Sequence, residues 1–422
     1  MQNNIGRKLG QLRPGDLLVG VDPHKHKHAI ISMDQKAVVR TRFKISNDRQ
    51  GFEHLLMRVE QETGKAGASG IIFAIEAGSH YWRNLAYYLA EKNVRFRLIN
   101  PFTLKRQREG EDLNRRKNDY RDAIMAAELL RMGKFTETRL LEGDYAELRA
   151  LDRCYQRLKH EQARAINLLR GLLDGLFPEF CQVFKSPSGQ SAMSVLSAIM
   201  VPGAIASLSP QEFICMVRSH HQGGRLAVGK LAALHRLASV SVGVKAGAGG
   251  VSGEIRLLVE RLRILATQIK QAERELLELV GKLPEASYAL SIKGLGKLTV
   301  ARLIARIGPV GDYGNAKDLI KLAGSNPTQS ESAGKSRSHT PMSKKGRSDL
   351  RGLLWLAAMS LLRHNEEFRN WAKGMENRAA QANPLHRREV VGAAMNRLLR
   401  LYFALVTKGQ MYRPATTLAV AA

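Results

Sequence analysis

Along residues 17–99 short apolar runs alternate with amphipathic stretches. Leu17-Leu-Val-Gly-Val-Asp22 is apolar in both alternating registers, the pattern of a strand buried on both faces. Segments 28–34 and 37–45 read as a second and a third strand, joined by a turn at Asp34–Lys36. A helix over roughly 49–62 follows, then a fourth strand at 70–76, a helix from about 80 to 92 and a fifth strand at 94–99. One more helix is expected from about 118 to 132.

Beyond residue 145 the apolar period lengthens. Leu258, Leu262, Leu265, Ile269, Ala272, Leu276, Leu279 and Leu283 keep alternating spacings of four and three, a sustained heptad seam. Leu148, Leu151, Tyr155, Leu158, Gln162, Ala165, Leu169 and Leu172 follow the same rhythm with one polar interruption. The two stretches predict an antiparallel coiled-coil hairpin carrying a helical insertion over about 180–252. The glycine-rich stretch 243–253 reads as a flexible linker. From 284 to 410 the pattern is helical. There the turn Gly294-Leu-Gly296, between apolar helical stretches, resembles a helix-hairpin-helix element. Such a turn exposes backbone N–H groups at a helix start and suits one DNA phosphate. Lys293 and Lys297 flank it. The expected organisation is therefore 15–145, 146–283 and 284–410.

Composition narrows the class. The chain has 422 residues, enough for two or three domains, and 44% are hydrophobic, which excludes a disordered chain. Its 66 Lys and Arg against 38 Asp and Glu give a formal charge of +28, which favours a polyanionic partner, nucleic acid before membrane. Cys154, Cys181 and Cys215 form no CxxC pair, so neither a zinc knuckle nor a disulfide framework is expected. The first 16 residues lack the apolar core of a signal peptide, and no apolar run approaches the ~20 residues that span a bilayer. A soluble, cytoplasmic protein is expected.

Three consecutive strands, then helix–strand–helix–strand, is the element order of an RNase H-like α/β domain. Four acids fall where such a fold would need them. Asp22 ends the first strand and Glu76 the fourth, while Asp119 and Asp122 lie three apart near the start of a helix and share a face. Four converging carboxylates repel, and divalent cations relieve that repulsion; hard oxygen donors suit Mg²⁺ or Mn²⁺. Two such ions can activate the attacking oxygen and stabilise the leaving one in phosphodiester cleavage. The run His24, His26, His28 reads as a basic, exposed strand start beside Asp22 rather than as a zinc site. Residues 103–121 carry Lys105, Arg106, Arg108, Arg115, Arg116, Lys117 and Arg121, a basic stretch placed for phosphate contacts beside the acids.

At this point the residues resemble a known family, the DEDD transposases of the IS110 group, which includes Piv-type DNA invertases and bridge-RNA-guided recombinases. The N-terminal likeness rests on Val19-Gly-Val-Asp22, Ile75-Glu76-Ala77 and Lys117-Asn-Asp119-Tyr-Arg-Asp122-Ala123. The C-terminal likeness rests on Ile292-Lys-Gly-Leu-Gly296, Leu322-Ala-Gly-Ser-Asn-Pro327, Gln329-Ser-Glu-Ser-Ala-Gly-Lys335 and Ser343-Lys-Lys-Gly346 through Leu350-Arg351. The resemblance implies a RuvC-like domain whose Asp22, Glu76, Asp119 and Asp122 bind Mg²⁺. It also implies a C-terminal transposase domain with a nucleophilic serine, a composite active site shared between protomers of a dimer or tetramer, and a structured guide RNA alongside DNA. Ser332 matches the serine by position. The family pattern runs Ser-Gly there, whereas this chain reads Ser332-Ala333-Gly334, and Ser330 lies two residues away. Lys335, Arg337, Lys344, Lys345, Arg347 and Arg351 surround this segment as candidate phosphate contacts.

The alternatives are a RuvC-like endonuclease that uses the four acids and water with no covalent intermediate, and a non-catalytic nucleic-acid-binding protein. All three readings require phosphate contacts. Binding to duplex DNA is therefore expected to weaken with salt, with a log–log slope of about −0.9 per phosphate neutralised. A flat salt titration would contradict the charge argument.

Overall fold

The apolar runs of the N-terminal region form one five-stranded sheet in the computed structural model, which describes residues 4–111, 118–136, 140–328, 331–332, 335–336, 341–379 and 387–414. The chain divides into two units, Met1–Leu140 and Leu141–Ala422. The first unit contains α1 (Asn4–Leu9), β1 (Asp16–Asp22), β2 (Lys27–Met33), β3 (Val39–Ser46), α2 (Arg49–Ala66), β4 (Gly70–Glu76), α3 (Trp82–Glu91), β5 (Phe96–Ile99), α4 (Pro101–Glu111) and α5 (Asp119–Arg131).

The strand order is β3-β2-β1-β4-β5. β1 runs antiparallel to β2 and parallel to β4; β3 is antiparallel to β2, and β5 parallel to β4. β1 is central and buried along its whole length because helices cover both faces, the reason its sequence shows no alternation. On one face Leu17, Val19 and Val21 meet Phe52, Leu55 and Val59 of α2 and Leu85 and Leu89 of α3. On the other, Leu18, Ile31 and Ile72 meet Leu104 of α4 and Ala123, Ala126, Ala127 and Leu130 of α5. α2 is capped by Asp48, which accepts from the Gly51 amide, and stopped by left-handed Gly67. α5 is capped by Asn118, which accepts from the Tyr120 amide.

The second unit begins with α6 (Gly143–Leu176), then α7 (Phe180–Val183), α8 (Gln190–Ala198), α9 (Pro202–Ala206), α10 (Pro210–Ser219), α11 (Val228–Ala238) and α12 (Ala248–Val280). It continues with α13 (Pro284–Leu290), α14 (Lys297–Ile307), α15 (Ala316–Ala323), the two-residue strands β6 (Glu331–Ser332) and β7 (Lys335–Ser336), α16 (Ser348–His364), α17 (Glu366–Ala379) and α18 (Arg387–Lys408). The expectation of a mixed α/β N-terminal part and a mostly helical remainder therefore holds.

α6 and α12 lie antiparallel. The start of α6 (Leu148, Tyr155) shares a core with the end of α12 (Ile269, Leu276, Leu279), and its end (Leu169, Leu173, Leu176) shares another with the start of α12 (Ile255, Leu258, Leu262). All eight apolar seam positions from Leu258 to Leu283 are buried. The short helices α7 to α11 fill the second of these cores through Phe180, Val195, Phe213 and Leu231. Only the first part of the glycine-rich stretch, 243–247, connects α11 to α12; the rest is helix. Gly249, Gly250 and Gly253 lie inside α12, and a Cβ on Gly243 would fall 1.9 Å from the Leu176 carbonyl oxygen. Close packing, rather than flexibility, explains that glycine.

Asp152 of α6, 1% exposed, ties the remaining helices to this frame. It accepts from Arg302 (3.0 Å) and Arg306 (2.8 and 3.1 Å) of α14. α18 has the length and apolarity of a membrane-crossing helix by composition, yet Val390, Val391, Met395, Leu398 and Tyr402 are buried in the core of this unit.

One contact sets the layout of the first unit. A Cβ built on Gly20 of β1 would lie 1.9 Å from the Ala123 carbonyl oxygen of α5. Gly20→Ala is expected to push α5 off the sheet and destabilise the unit by about 1–3 kcal/mol, the usual range for overpacking. Chemical unfolding checks this; an unchanged midpoint would show that α5 does not need the gap.

Candidate metal centre and nucleic-acid interface

The four acids predicted from sequence come together at the carboxyl end of β1. Asp22, Glu76 and Asp122 line one cleft with His24, Gly78, Tyr81 and Arg108. Asp119 joins through His24, whose Nε2 lies 3.0 Å from Asp22 Oδ2 and 3.4 Å from Asp119 Oδ1. β1 and β4 are adjacent and parallel, so their last residues project from the same sheet edge. Asp119 and Asp122 occupy the first turn of α5, where the helix dipole favours negative charge. Gly78 leaves room for the Glu76 carboxylate: a Cβ there would be 2.9 Å from its Oε1.

Cationic side chains already offset this negative charge, in addition to anything a metal would supply. Lys44 Nζ donates to Asp119 Oδ2 at 2.8 Å. Arg108 Nη1 donates to both Asp122 oxygens, at 2.7 and 2.9 Å. Burial pushes the Asp22 carboxyl above its ordinary value, with Asp122 and Asp119 adding to the rise and His24 opposing it. The Lys44 hydrogen bond draws Asp119 the other way.

The histidine run differs from its exposed reading. Only His26 is exposed; His24 bridges two acids, and His28 is fully buried against Phe52, ring centroids 5.9 Å apart. Desolvation lowers His28 to about 4, so it is neutral at physiological pH. The sequence reading missed the roles of His24, Lys44 and Arg108. His24 had a usable signal, since positions 22 and 24 share a side at a strand end. Lys44 lies two strands away and had none.

Ligand atoms of Asp22, His24 and Asp119 lie within 4.8 Å of one another, a group able to hold a metal ion. The donors fit a divalent cation: carboxylate oxygens suit Mg²⁺ and Mn²⁺, and an imidazole favours Mn²⁺ of the two.

The basic candidates divide. Lys105 and Arg106 are exposed on α4, with Lys105 3.8 Å from Glu109 and Arg106 over the Phe102 ring. Arg115, Arg116, Lys117, Ser330 and Arg337 lie outside the described residues. Lys293 and Lys297 are exposed beside the turn between α13 and α14. Gly294 there has φ +103°, a conformation that disfavours side chains, and its carbonyl accepts from Ser360. Gly296 is the N-cap of α14. Lys344 and Lys345 are exposed, whereas Arg347 and Arg351 are half-buried and donate to the carbonyls of Arg306 and Ala323.

Ser332 and Lys335, described by backbone alone, pair across β6 and β7. Below them two segments close into a stem. Arg347, Lys344, Ser343 and Thr328 donate their amides to the carbonyls of Leu322, Gly324, Asn326 and Pro341 at 2.7–2.9 Å. Gly324 and Gly346 touch there: a Cβ on Gly346 would be 2.3 Å from the Gly324 nitrogen.

Comparison with known proteins fits this layout. The family model for DEDD transposases of the IS110 type matches residues 19–178, and that described as "Transposase IS116/IS110/IS902 family" matches residues 286–373. A mini-circle transposase for IS117 from Streptomyces coelicolor is 23% identical over 348 residues, 80% of this chain and 83% of its own length. The pilin gene-inverting protein of Moraxella lacunata is 23% identical over 158 residues, 36% of this chain and 48% of its own. The transposase of IS1328 from Yersinia enterocolitica is 29% identical over 153 residues, 35% of this chain and 43% of its own. The chain thus spans less than half the length of the latter two. These matches define an enzyme of the DNA transposase/recombinase class. The chain carries two transposase domains of the IS110 type, that of the DEDD transposases over residues 19–178 and that of the IS116/IS110/IS902 family over residues 286–373.

Asp22 generates a pH prediction. Its folded form takes up a proton more readily than its unfolded form, so its burial lowers stability as pH rises from the ordinary value of 3.8 through the raised one. In metal-free protein Asp22→Asn is expected to be more stable than wild type at neutral pH. The advantage should vanish as pH falls toward 3.8. Urea unfolding at a series of pH values in EDTA checks this; a loss of stability at neutral pH would mean that the ionised carboxylate is a net structural asset.

Proposed function

We propose that the chain cuts and rejoins DNA by metal-dependent phosphoryl transfer, with an RNase H-like, RuvC-like nuclease domain over 15–145 and a serine nucleophile, Ser332, in a transposase domain over 284–410. The carrying observation is the meeting of Asp22, Glu76 and Asp122 in one cleft, with Asp119 tied in through His24. The order β3-β2-β1-β4-β5, with β2 antiparallel, supports the RNase H-like reading.

Asp22, Glu76, Asp119 and Asp122 would hold Mg²⁺ or Mn²⁺. Such an ion supplies charge stabilisation for the phosphate and its attacking and leaving oxygens. Lys105 and Arg106, exposed on the helix that carries Arg108, would position the strand through its phosphates. Ser332 Oγ would bond to phosphorus and lose its proton, while one DNA oxygen leaves and takes up a proton as a hydroxyl. The phosphoserine linkage keeps the bond energy, so a second DNA hydroxyl can displace the serine in the reverse step without ATP. The stem below β6 and β7 supports this reading because it presents the serine segment on a tied base.

The two halves of the chemistry would come from different protomers of a dimer or tetramer, with α6 and α12 as a coiled-coil hairpin over 146–283 that pairs them. The charge of +28 suits DNA together with a structured guide RNA, in the cytoplasm. A second reading, a water-using nuclease, is favoured by the fact that the acid cleft lies wholly within the first unit.

A covalent trap separates the two. Protein expressed with its flanking DNA and any encoded RNA, in Mg²⁺, is denatured and tested for attached DNA. Wild type is expected to carry an adduct and Ser332→Ala none. Glu76→Gln should lower cleavage by about 100-fold or more, the scale of losing one preorganised charge-stabilising group. Cleavage without an adduct in wild type would establish the water-using reading, and an adduct in Ser332→Ala would move the nucleophile to Ser330.

A further inference from the structure

Asp122 is the acid least available to a cation. It is 3% exposed, and both its oxygens are engaged by one guanidinium nitrogen of Arg108. The atoms that converge for a metal come instead from Asp22, His24 and Asp119. Arg108 lies one helical turn after Leu104, whose burial against the sheet turns that face of α4 inward. Its side chain lines the same cleft as Asp22 and Glu76 and is 20% exposed.

We propose that Arg108 is a resident counter-cation that withholds Asp122 from the metal set and yields it when a divalent ion enters. The proposal rests on the metal-site reading above. A buried carboxylate left without a partner is strongly destabilising, so in the metal-free chain some cation must sit against Asp122. A divalent ion held by the other acids offers Asp122 more charge than the guanidinium does. The guanidinium it displaces stays in the cleft, where its planar fork matches a phosphate oxygen pair. Metal and nucleic acid would then favour each other's binding, because the phosphate gives Arg108 a new partner at the moment Asp122 is taken.

Arg108 is a positioning residue in this scheme, and its test reads metal binding rather than cleavage. Mn²⁺ is titrated into the full chain without nucleic acid and followed by electron paramagnetic resonance. Wild type is expected to bind and Asp22→Asn to lose binding. Arg108→Gln should bind about tenfold tighter, a difference of about 1.4 kcal/mol. Arg108→Lys, which keeps the charge and much of the stem, should fall between. In an Asp122→Asn background the gain from Arg108→Gln should disappear. A gain of equal size in both backgrounds would overturn the proposal, because Arg108 would then act only through its charge. Unchanged or weaker binding in Arg108→Gln, with Asp22→Asn inactive in binding, would also overturn it while leaving the metal site in place. Failure of both wild type and Arg108→Gln to bind Mn²⁺ would remove the metal reading itself and the proposal with it.

Discussion

The acidic cleft depends on how closely α5 approaches β1. Gly20 has no Cβ to hold the helix away, and the facing positions of α5 are Ala123 and Ala127. This small-residue contact brings the first turn of α5 down beside the end of the strand. Asp119 and Asp122 thereby face Asp22 without any long side chain having to reach. Backbone packing, which is stiff, thus fixes acid separations that flexible side chains would leave loose.

Close approach has an electrostatic consequence. Asp22 and Asp122 are both nearly buried, and burial first, then the neighbouring Asp122, raises the Asp22 carboxyl above its ordinary value. Side chains from three places in the fold answer them: His24 just after β1, and the cations Lys44 from β3 and Arg108 from α4. The surface pair Lys44–Asp119 is solvated and contributes little to stability. The Arg108–Asp122 pair is shielded, so its formation and its opening matter more. The cleft is consequently balanced by its own side chains, and a metal that entered would compete with them for its ligands.

Much of this was legible in the sequence, for physical reasons that differ from place to place. β1 and β4 were plain because a strand buried on both faces must be continuously apolar. Residues 70–76 were placed to the residue because Glu76 closes the apolar run where the strand meets the cleft. The α12 seam was plain because heptad spacing survives only where one stripe packs along its length. α4 was not signalled: among its described residues only Leu104 is buried, so it has almost no apolar face to show. The glycine-rich start of α12 misled because composition favours a linker, while Gly243 is there to let the chain cross Leu176. The acids themselves were legible from strand ends and an i, i+3 spacing. Their cationic partners were not, since Lys44 and Arg108 reach Asp119 and Asp122 only through the fold.

The C-terminal unit shows why a basic chain need not spend every charge on a partner. Asp152 is buried with Arg302 and Arg306 on it, and removing one side of such a pair leaves an uncompensated charge at about 3–5 kcal/mol. Arg306 continues to the Asp349 carbonyl, Arg347 returns to the Arg306 carbonyl, and Arg149 donates to the carbonyls of Ala305 and Arg306 at the end of α14. Burial among these like charges draws Arg149 down to about 10. Arg351 closes the Ala323 carbonyl at the end of α15. Cations at helix carboxyl ends answer both the dipole and the orphan carbonyls. Arg347 and Arg351, candidate phosphate contacts by sequence, also tie the base of the stem through these carbonyls. Lys344 and Lys345 are exposed on that stem.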